Sequence, residues 1–369
     1  MKRILHISKY YYPFYGGTEQ IARDIVNALK GQYEQKVICF NHEKGNATDV
    51  VDDIEINRCG CFAKVSSQSL SFFYPKALKA MLEDYNPDII IFHYPNPFVA
   101  YFLLKYIKAD TRLILYWHLD IVKQRFLGKV FVYQNRRLTE RANAIVATSP
   151  NYIEGSAYLK QARDKCVVIP NSINEGRLAM NDEAYAFAEQ LKRDNPGKII
   201  CVAVGRHTKY KGFDYLIKAS KLLDDRFVIF IAGKGEETGR LRRKIGDDKK
   251  VHLVGSVSDN ELKGYLYAMD IFCFPSVTRN EAFGVALAEA AYFGKPSVTF
   301  TIQGSGVNYV SVDGVTGIEV ENRNIKKYAG AMTVLADDEC MRSTYGKNAR
   351  DRVNTFSNSV FKEKIESIM

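Results

Sequence analysis

The sequence predicts an α/β protein of two doubly wound domains, and three observations predict it. Its 369 residues exceed what one core of roughly 150 to 200 residues supports. Short apolar runs alternate with longer amphipathic stretches, the pattern of repeated β-α units forming a parallel sheet covered by helices. That rhythm stops at the polar, charged segment from Glu175 to Gly197, which ends in Asn195-Pro196-Gly197, and then restarts, as at a passage between domains.

In the first half, strands are expected near Arg3 to Ser8, Lys36 to Asn41, Asp88 to His93, Arg112 to His118, Ala144 to Thr148 and Val167 to Pro170. Helices near Thr18 to Lys30, Pro75 to Tyr85 and Lys129 to Arg141 fall between them. In the second half, strands near Ile199 to Gly205, Phe227 to Ala232, Val251 to Val254, Ile271 to Pro275 and Pro296 to Phe300 alternate with four helices. These run near Asp214 to Leu223, Glu237 to Ile245, Asp259 to Ala268 and Gly284 to Phe293.

Composition narrows the class. A hydrophobic fraction of 46% with 25% charged residues describes a soluble globular chain and argues against disorder. The opening MKRILHISKYYYP has only a short apolar run and reads as a first buried strand rather than a secretory signal. No run approaches the ~20 apolar residues that span a bilayer, so a cytoplasmic protein is expected. Seven cysteines, at 39, 59, 61, 166, 201, 273 and 340, are scattered and odd in number, which predicts reduced core thiols. Cys59 and Cys61 lack a second ligand pair at zinc spacing. The formal charge of +10 admits nucleic acid, anionic membrane or phosphorylated substrates. Without an RNP-like aromatic motif, helix-turn-helix cue or zinc-finger spacing, nucleic acid is not the expected partner.

Ligands of such sheets bind beyond the carboxyl ends of the strands, so the strand-to-helix loops hold the candidates. The loop from Tyr10 to Thr18 sets Gly16 and Gly17 just before a helix, where bare amides admit an anion or substrate; a tight turn alone explains the same pair. After the first strand of the second half come Gly205-Arg206, Lys209, Lys211 and Gly212. Cations there can neutralise a diphosphate, with Arg206 able to bind it in bidentate fashion; a solvated basic loop is the alternative. Gly233, Gly235 and Gly239 follow the next strand with spacing G-x-G-x-x-x-G, which departs from the dinucleotide fingerprint and lacks its acidic residue. A glycine turn bordering a nucleotide pocket fits them better than an NAD site.

The strongest stretch is Asn280 to Glu289, NEAFGVALAE. A polar loop enters an Ala-rich helix, leaving the amides of Phe283, Gly284 and Val285 free to bind phosphate. Glu281 precedes the helix and Glu289 lies inside it. Eight residues of helix rise ~12 Å, comparable to the distance between the sugar and the ribose of an extended nucleotide sugar. Glu281 is equally explained as an acid favoured by the helix dipole. A solvated face explains Glu289 poorly, because Leu287, Ala288, Ala290 and Ala291 make the helix apolar nearly all round. A buried acid there wants a partner.

In this order the elements resemble the retaining GT-B glycosyltransferases of family 4, over nearly the whole chain, from the Gly16-Gly17 loop through Gly205-Arg206 and Lys211-Gly212 to the E-x(7)-E pair Glu281 and Glu289. The resemblance implies two facing Rossmann-like domains with a cleft between them. Residues 1–180 would bind acceptor, residues 181–350 would hold the nucleotide sugar, and 351–369 would be a C-terminal helix packing back on the first domain, as the spacing of Phe361, Ile365 and Ile368 suggests. By position it implies that Arg206 and Lys211 hold the diphosphate, Glu281 the sugar hydroxyls and Glu289 the ribose. Phe283, Gly284 and Val285 would add backbone donors, with Gly16, Gly17, Gly205 and Gly233 also at the donor site. His118, in Trp117-His118-Leu119-Asp120, matches the family's histidine beside the reacting sugar; a buried structural histidine is the other reading. Ala282 stands where many members carry glycine.

The resemblance also implies a same-face transfer in which the leaving phosphate serves as base, with no cofactor beyond the donor substrate and no metal. The absence of an Asp-x-Asp motif agrees. The stretch from Gln303-Gly304-Ser305-Gly306-Val307 to Asp313-Gly314-Val315-Thr316-Gly317 is similar to members that build bacterial lipopolysaccharide and capsule, mannosyltransferases among them. The expected activity is therefore transfer of a hexose, mannose from GDP-mannose first, to a lipid-linked oligosaccharide. A UDP-hexose transferase, a nucleotide-sugar epimerase and a non-catalytic binding protein remain the alternatives. Between residues 123 and 141, Lys123, Arg125, Lys129, Arg136, Arg137 and Arg141 outnumber Glu140 and interleave with Phe126, Leu127, Phe131 and Tyr133. Such a face suits peripheral contact with anionic membrane, or is an ordinary solvated helix.

Overall fold

The stretch Ile89–Tyr94, IIIFHY, is buried at every position, as a parallel strand covered on both faces must be. It lies inside an eight-stranded sheet in a computed structural model that describes residues 1–14, 16–65, 68–121 and 128–369. In chain order the strands of the first half are β1 (Arg3–Ile7), β2 (Glu34–Phe40), β3 (Ala47–Val51), β4 (Ile54–Cys59), β5 (Ala63–Val65), β6 (Gln68–Leu70), β7 (Ile89–Tyr94), β8 (Arg112–Trp117), β9 (Ala144–Ala147) and β10 (Cys166–Val168). The large sheet runs β10-β9-β8-β7-β1-β2-β4-β3, parallel except for β3, which lies antiparallel on β4 at the edge. β5 and β6 pair separately as a hairpin.

The second half forms a six-stranded, all-parallel sheet from β11 (Ile199–Val204), β12 (Phe227–Ala232), β13 (Val251–Gly255), β14 (Ile271–Phe274), β15 (Ser297–Phe300) and β16 (Gly317–Val320), in the order β13-β12-β11-β14-β15-β16. The chain moves outward from β11 to β13, then returns to lay β14 on the other side of β11. The loops leaving β11 and β14 therefore flank the switch point, where open parallel sheets bind ligands.

Two compact units result: Met1–Pro170 with Phe361–Met369, and Asn171–Val360. The division falls at Pro170, not at 180. The segment 351–369 is also not one helix: Glu339–Val353 and the turn Asn354–Phe356 stay with the second unit, while the helix Asn358–Glu366 sends its later residues to the first. There Phe361, Ile365 and Ile368 join a buried cluster with Ile4, Ile21, Ile25, Ile89, Ile91, Ile114 and Val146. Each such side chain contributes ~1.5–3 kcal/mol on burial.

Glu175 to Gly197 is not a linker. It forms the helices Glu175–Leu178 and Asp182–Asp194, with Asn174 and Asn181 accepting hydrogen bonds from the amides of Arg177 and Ala184 as N-caps. The longer helix buries only Ala184, Ala188 and Leu191. That stripe of small residues is easily lost among charges. The strand β4, the edge strand β3 and the helix Pro97–Tyr106 also go beyond the elements expected above. β3 alternates half-buried and exposed positions, so it presents no apolar run.

Candidate functional site

In the second unit, the loops after β11 and β14 touch backbone to backbone. Gly212 has φ +67°, and a β-carbon there would lie 2.0 Å from the carbonyl oxygen of Pro275, so only glycine fits. The Val277 amide donates to the Tyr210 carbonyl at 2.9 Å. Between these ties Lys209–Lys211 forms one turn of 3-10 helix. A β-carbon at 205 would sit 3.3 Å from Lys211 Cε, so Gly205 leaves room for the lysine stem.

Lys211 Nζ is ion-paired with the Glu281 carboxylate, and both side chains are only 12% exposed. Burial pulls the ammonium down, but Glu281 and, after it, Tyr210 together more than offset this, and the Lys211 pKa ends above its usual 10.5. The charge is therefore permanent at neutral pH. Arg206 is exposed at the end of β11, close enough to Lys211 to oppose its charge, and no acid among the described residues pairs with its guanidinium.

Glu281 sits in a turn rather than on a helix. Its amide donates to the Thr278 carbonyl at 3.1 Å, and its carboxylate accepts from the Ser276 hydroxyl at 3.3 Å. From the far side the Ser305 hydroxyl donates to the Glu281 carbonyl, and the Gly306 amide to the Ala282 carbonyl at 3.1 Å. The helix starts only at Val285, after Gly284 at φ +92°. The eight-residue helical rise expected between the two glutamates therefore does not apply. Among the described residues, no carbonyl or side chain takes the amides of Phe283, Gly284 or Val285. The Phe283 ring is buried, edge-on to Phe356 at 5.3 Å.

Glu289 is buried, 7% exposed, and has the partner its setting demanded. Arg177, 112 residues earlier, donates to it and holds Asp259 at 2.9 Å as well. Burial lifts the Glu289 pKa and Arg177 pulls it down, with the net result above 4.5. The sequence indicated that Glu289 needs a partner but not that it is Arg177, because nothing local to Glu175–Leu178 marks Arg177 as facing the helix of Glu289. Gly233, with φ +129°, would place a β-carbon 2.0 Å from the Gly205 carbonyl. It packs the turn after β12 on the one after β11. The second unit thus gathers Gly205, Lys211 and Glu281, with Gly233 behind Gly205, and sets Glu289 on a separate cation.

Gly16, Gly17 and His118 belong to the first unit. A β-carbon on Gly16 would meet Glu19 Oε2 at 2.2 Å, and Thr18 Oγ1 donates to that oxygen at 2.8 Å. The Glu19 carboxylate thus lies where an anion was expected to approach Gly16, while Gly17 is open. His118, just past β8, is buried, with Nε2 3.0 Å from His93 Nδ1; burial pushes its pKa down to about 3.

Of the basic stretch, Lys123, Arg125, Phe126 and Leu127 lie outside the described residues, and so does the side chain of Lys129. Arg136 pairs with Glu140 at 2.8 Å, and Arg137 donates to the Tyr133 hydroxyl at 3.0 Å. Arg141 donates to the carbonyls of Lys108 and Thr111, each at 2.7 Å. It closes a turn instead of facing solution. No helix among the described residues is long and apolar enough to cross a membrane.

Residues 186–352 match the family model of the glycosyl transferases group 1, and residues 15–177 that of glycosyltransferase family 4. The chain is 30% identical over 355 residues, 95% of its length and 93% of the relative's, to the O-antigen chain mannosyltransferase C of Escherichia coli. It is 30% identical over 269 residues, 72% of this chain and 68% of the relative, to the D-rhamnosyltransferase WbpZ of Pseudomonas aeruginosa. Among solved structures, the sucrose-phosphate synthase of Thermosynechococcus elongatus superposes with a TM-score of 0.80 at 19% identity, covering 100% of this chain and 98% of that one.

Proposed function

Because the chain belongs to the group 1 and family 4 glycosyl transferases, enzymes of the GT-B fold, we propose that it transfers a hexose from a nucleotide sugar to a lipid-linked saccharide. The product would enter a bacterial surface polysaccharide, and the likeness to an O-antigen mannosyltransferase favours GDP-mannose as donor. The observation that carries this reading is the Lys211–Glu281 pair, drawn from the two loops that flank the switch point of a parallel sheet.

In the proposed complex the diphosphate takes Lys211, Arg206 and the open amides of Phe283, Gly284 and Val285. Glu281, released from Lys211, accepts from sugar hydroxyls, while Glu289 accepts from the ribose. Cleavage of the bond from the anomeric carbon to oxygen leaves its electron pair on the diphosphate. Cations placed in advance stabilise that charge more in the transition state than in the ground state. The same phosphate oxygen takes the proton of the incoming hydroxyl on the same face, so configuration is retained and no metal is required. The first unit binds the acceptor, with Gly16, Gly17 and His118 as its candidate binding residues. The enzyme works from the cytoplasm against the inner face of the membrane.

The test is incubation with GDP-mannose, a GDP-linked 6-deoxyhexose and UDP-hexoses, with and without lipid-linked acceptor, in EDTA and in magnesium. Acceptor-dependent release of GDP with retention, unchanged by EDTA, is expected. Transfer from a UDP-hexose alone would replace the donor, epimerisation without acceptor would replace the reaction, and inversion would end the same-face route. Dependence on magnesium would end the metal-free one.

A further inference from the structure

Three buried histidines lie on adjacent strands of the first sheet: His6 on β1, His93 on β7 and His118 immediately after β8. His6 shows how the fold treats a sealed imidazole. Gln35 Nε2 donates to the Val26 carbonyl at 3.0 Å, which turns Gln35 Oε1 to His6 Nε2 at 2.8 Å. An amide oxygen only accepts, so the His6 proton is on Nε2. Its Nδ1, buried without a partner, is then the bare nitrogen. An empty acceptor is the lesser fault; a buried N-H without a partner is rarer and costly.

His93 Nδ1 and His118 Nε2 lie 3.0 Å apart. The ring centroids are 5.2 Å apart and the planes differ by 14°, as for two rings joined edge to edge by an in-plane N-H···N bond. Burial keeps both neutral, His118 near 3 and His93 well below 6.5, so each ring carries one proton. If His118 donated, the proton of His93 would sit on Nε2, which is buried with no partner. If His93 donates, that sealed Nε2 is bare, as Nδ1 is in His6, and the proton of His118 sits on Nδ1. His118 Nδ1 itself has no hydrogen-bond partner among the described residues.

We infer that His93 is a positioning residue that donates to His118 Nε2 and thereby fixes His118 in the tautomer protonated on Nδ1. His118 then meets its ligand as a neutral hydrogen-bond donor rather than as a base, and its counterpart is an oxygen of the sugar. The assignment of the ligand rests on the glycosyltransferase reading. The tautomer does not.

With six histidines in the chain, long-range proton–nitrogen spectra of histidine-labelled protein can be assigned by single substitutions. Wild-type His118 should be protonated on Nδ1, and His93→Phe should shift it towards the Nε2 form. In transfer assays His93→Phe should lower kcat/KM about tenfold, the worth of one hydrogen bond. His93→Asn, whose amide nitrogen stands near the place of Nδ1, should restore most of it. A wild-type His118 protonated on Nε2 overturns the inference. So does an unchanged tautomer in His93→Phe, or an Asn variant as slow as the Phe variant when both melt alike. If His93→Phe does not fold, the wild-type spectrum decides alone. A wild-type protein that turns over no nucleotide sugar removes the glycosyltransferase reading and leaves the spectrum to judge the tautomer.

Discussion

Lys211→Met keeps the aliphatic stem against Phe274 and Tyr210, whose rings lie 5.1 and 5.7 Å from the ammonium, and removes the charge. Two effects follow, and they separate. Loss of a pre-placed donor to the departing diphosphate should cost ~100- to 1000-fold in turnover. Loss of the cation also strands Glu281, whose side chain is 12% exposed and keeps, among the described residues, only the Ser276 hydroxyl. Breaking a buried pair from one side costs ~3–5 kcal/mol, and the remaining exposure points to the lower end. At roughly 2–4 °C per kcal/mol for a unit of this size, the melting temperature should fall by about 6–12 °C. Lys211→Met/Glu281→Gln removes the stranded charge, so it should melt within a few degrees of wild type while staying as slow as the single variant. Thermal melts and single-turnover rates at saturating donor read the two effects. A single variant above a tenth of wild-type turnover would refute the phosphate role, and a double variant that melts as low as the single would refute the pairing account. The pH dependence has a definite sign. Because Glu281 and, after it, Tyr210 hold the folded pKa of Lys211 above 10.5 against the pull of burial, the contribution of the pair is complete below about pH 10.5 and is lost as pH rises past the folded value.

Glu289→Gln should weaken nucleotide affinity about tenfold in calorimetric titration, with turnover at saturation less affected. Burial lifts the folded pKa of Glu289 above 4.5, so its ionisation costs stability as pH rises through that value. The variant should therefore melt at least as high as wild type at pH 7, and the difference should vanish below pH 4.5; a large loss of stability at pH 7 would contradict this. Gly306→Ala places a β-carbon 2.1 Å from the Ala282 carbonyl, an overpacking worth ~1–3 kcal/mol. It should slow transfer by displacing the Glu281 turn, whereas Gly330→Ala, in open space on the helix Ile325–Asp337, should stabilise by ~0.5–1 kcal/mol and leave rates alone. Arg141→Ala should destabilise by ~1–3 kcal/mol without changing co-sedimentation with anionic vesicles. Loss of vesicle binding would mean that Arg141 meets lipid instead of the Lys108 and Thr111 carbonyls.

How far the sequence reveals this fold follows from where each element is buried. Strands sealed on both faces, such as β7 and β12, can be read only as apolar runs, and they mark the two sheets without ambiguity. Elements with one face in solvent leave weaker traces: β3 interrupts its half-buried side, Ala47 and Val51, with Asp49, and Asp182–Asp194 buries two alanines and a leucine beneath a charged surface. The site follows the same division. Gly205, Lys211, Gly212 and Gly284 stand out locally because glycine and lysine at strand ends have few uses. The pairings Lys211–Glu281 and Arg177–Glu289 are made between distant segments, and no local spacing encodes them.

The two glutamates make the point in chemical terms. Their eight-residue separation suggests one continuous helix with an acid at each end, yet Gly284 at φ +92° breaks the path between them. Before the break, Glu281 is turned to the lysine of the loop that leaves β11. After it, Glu289 enters a helix whose buried face meets Arg177. An unbroken helix beginning at Glu281 would draw the Val285 amide into an intrahelical bond to the Glu281 carbonyl and aim the amides of Phe283 and Gly284 along its axis. The break keeps those donors open between the two acids, each already matched to a cation. In the proposed complex a diphosphate would need no new pocket of charge: it would exchange Glu281 for itself on Lys211 and free the carboxylate for the sugar hydroxyls in the same step.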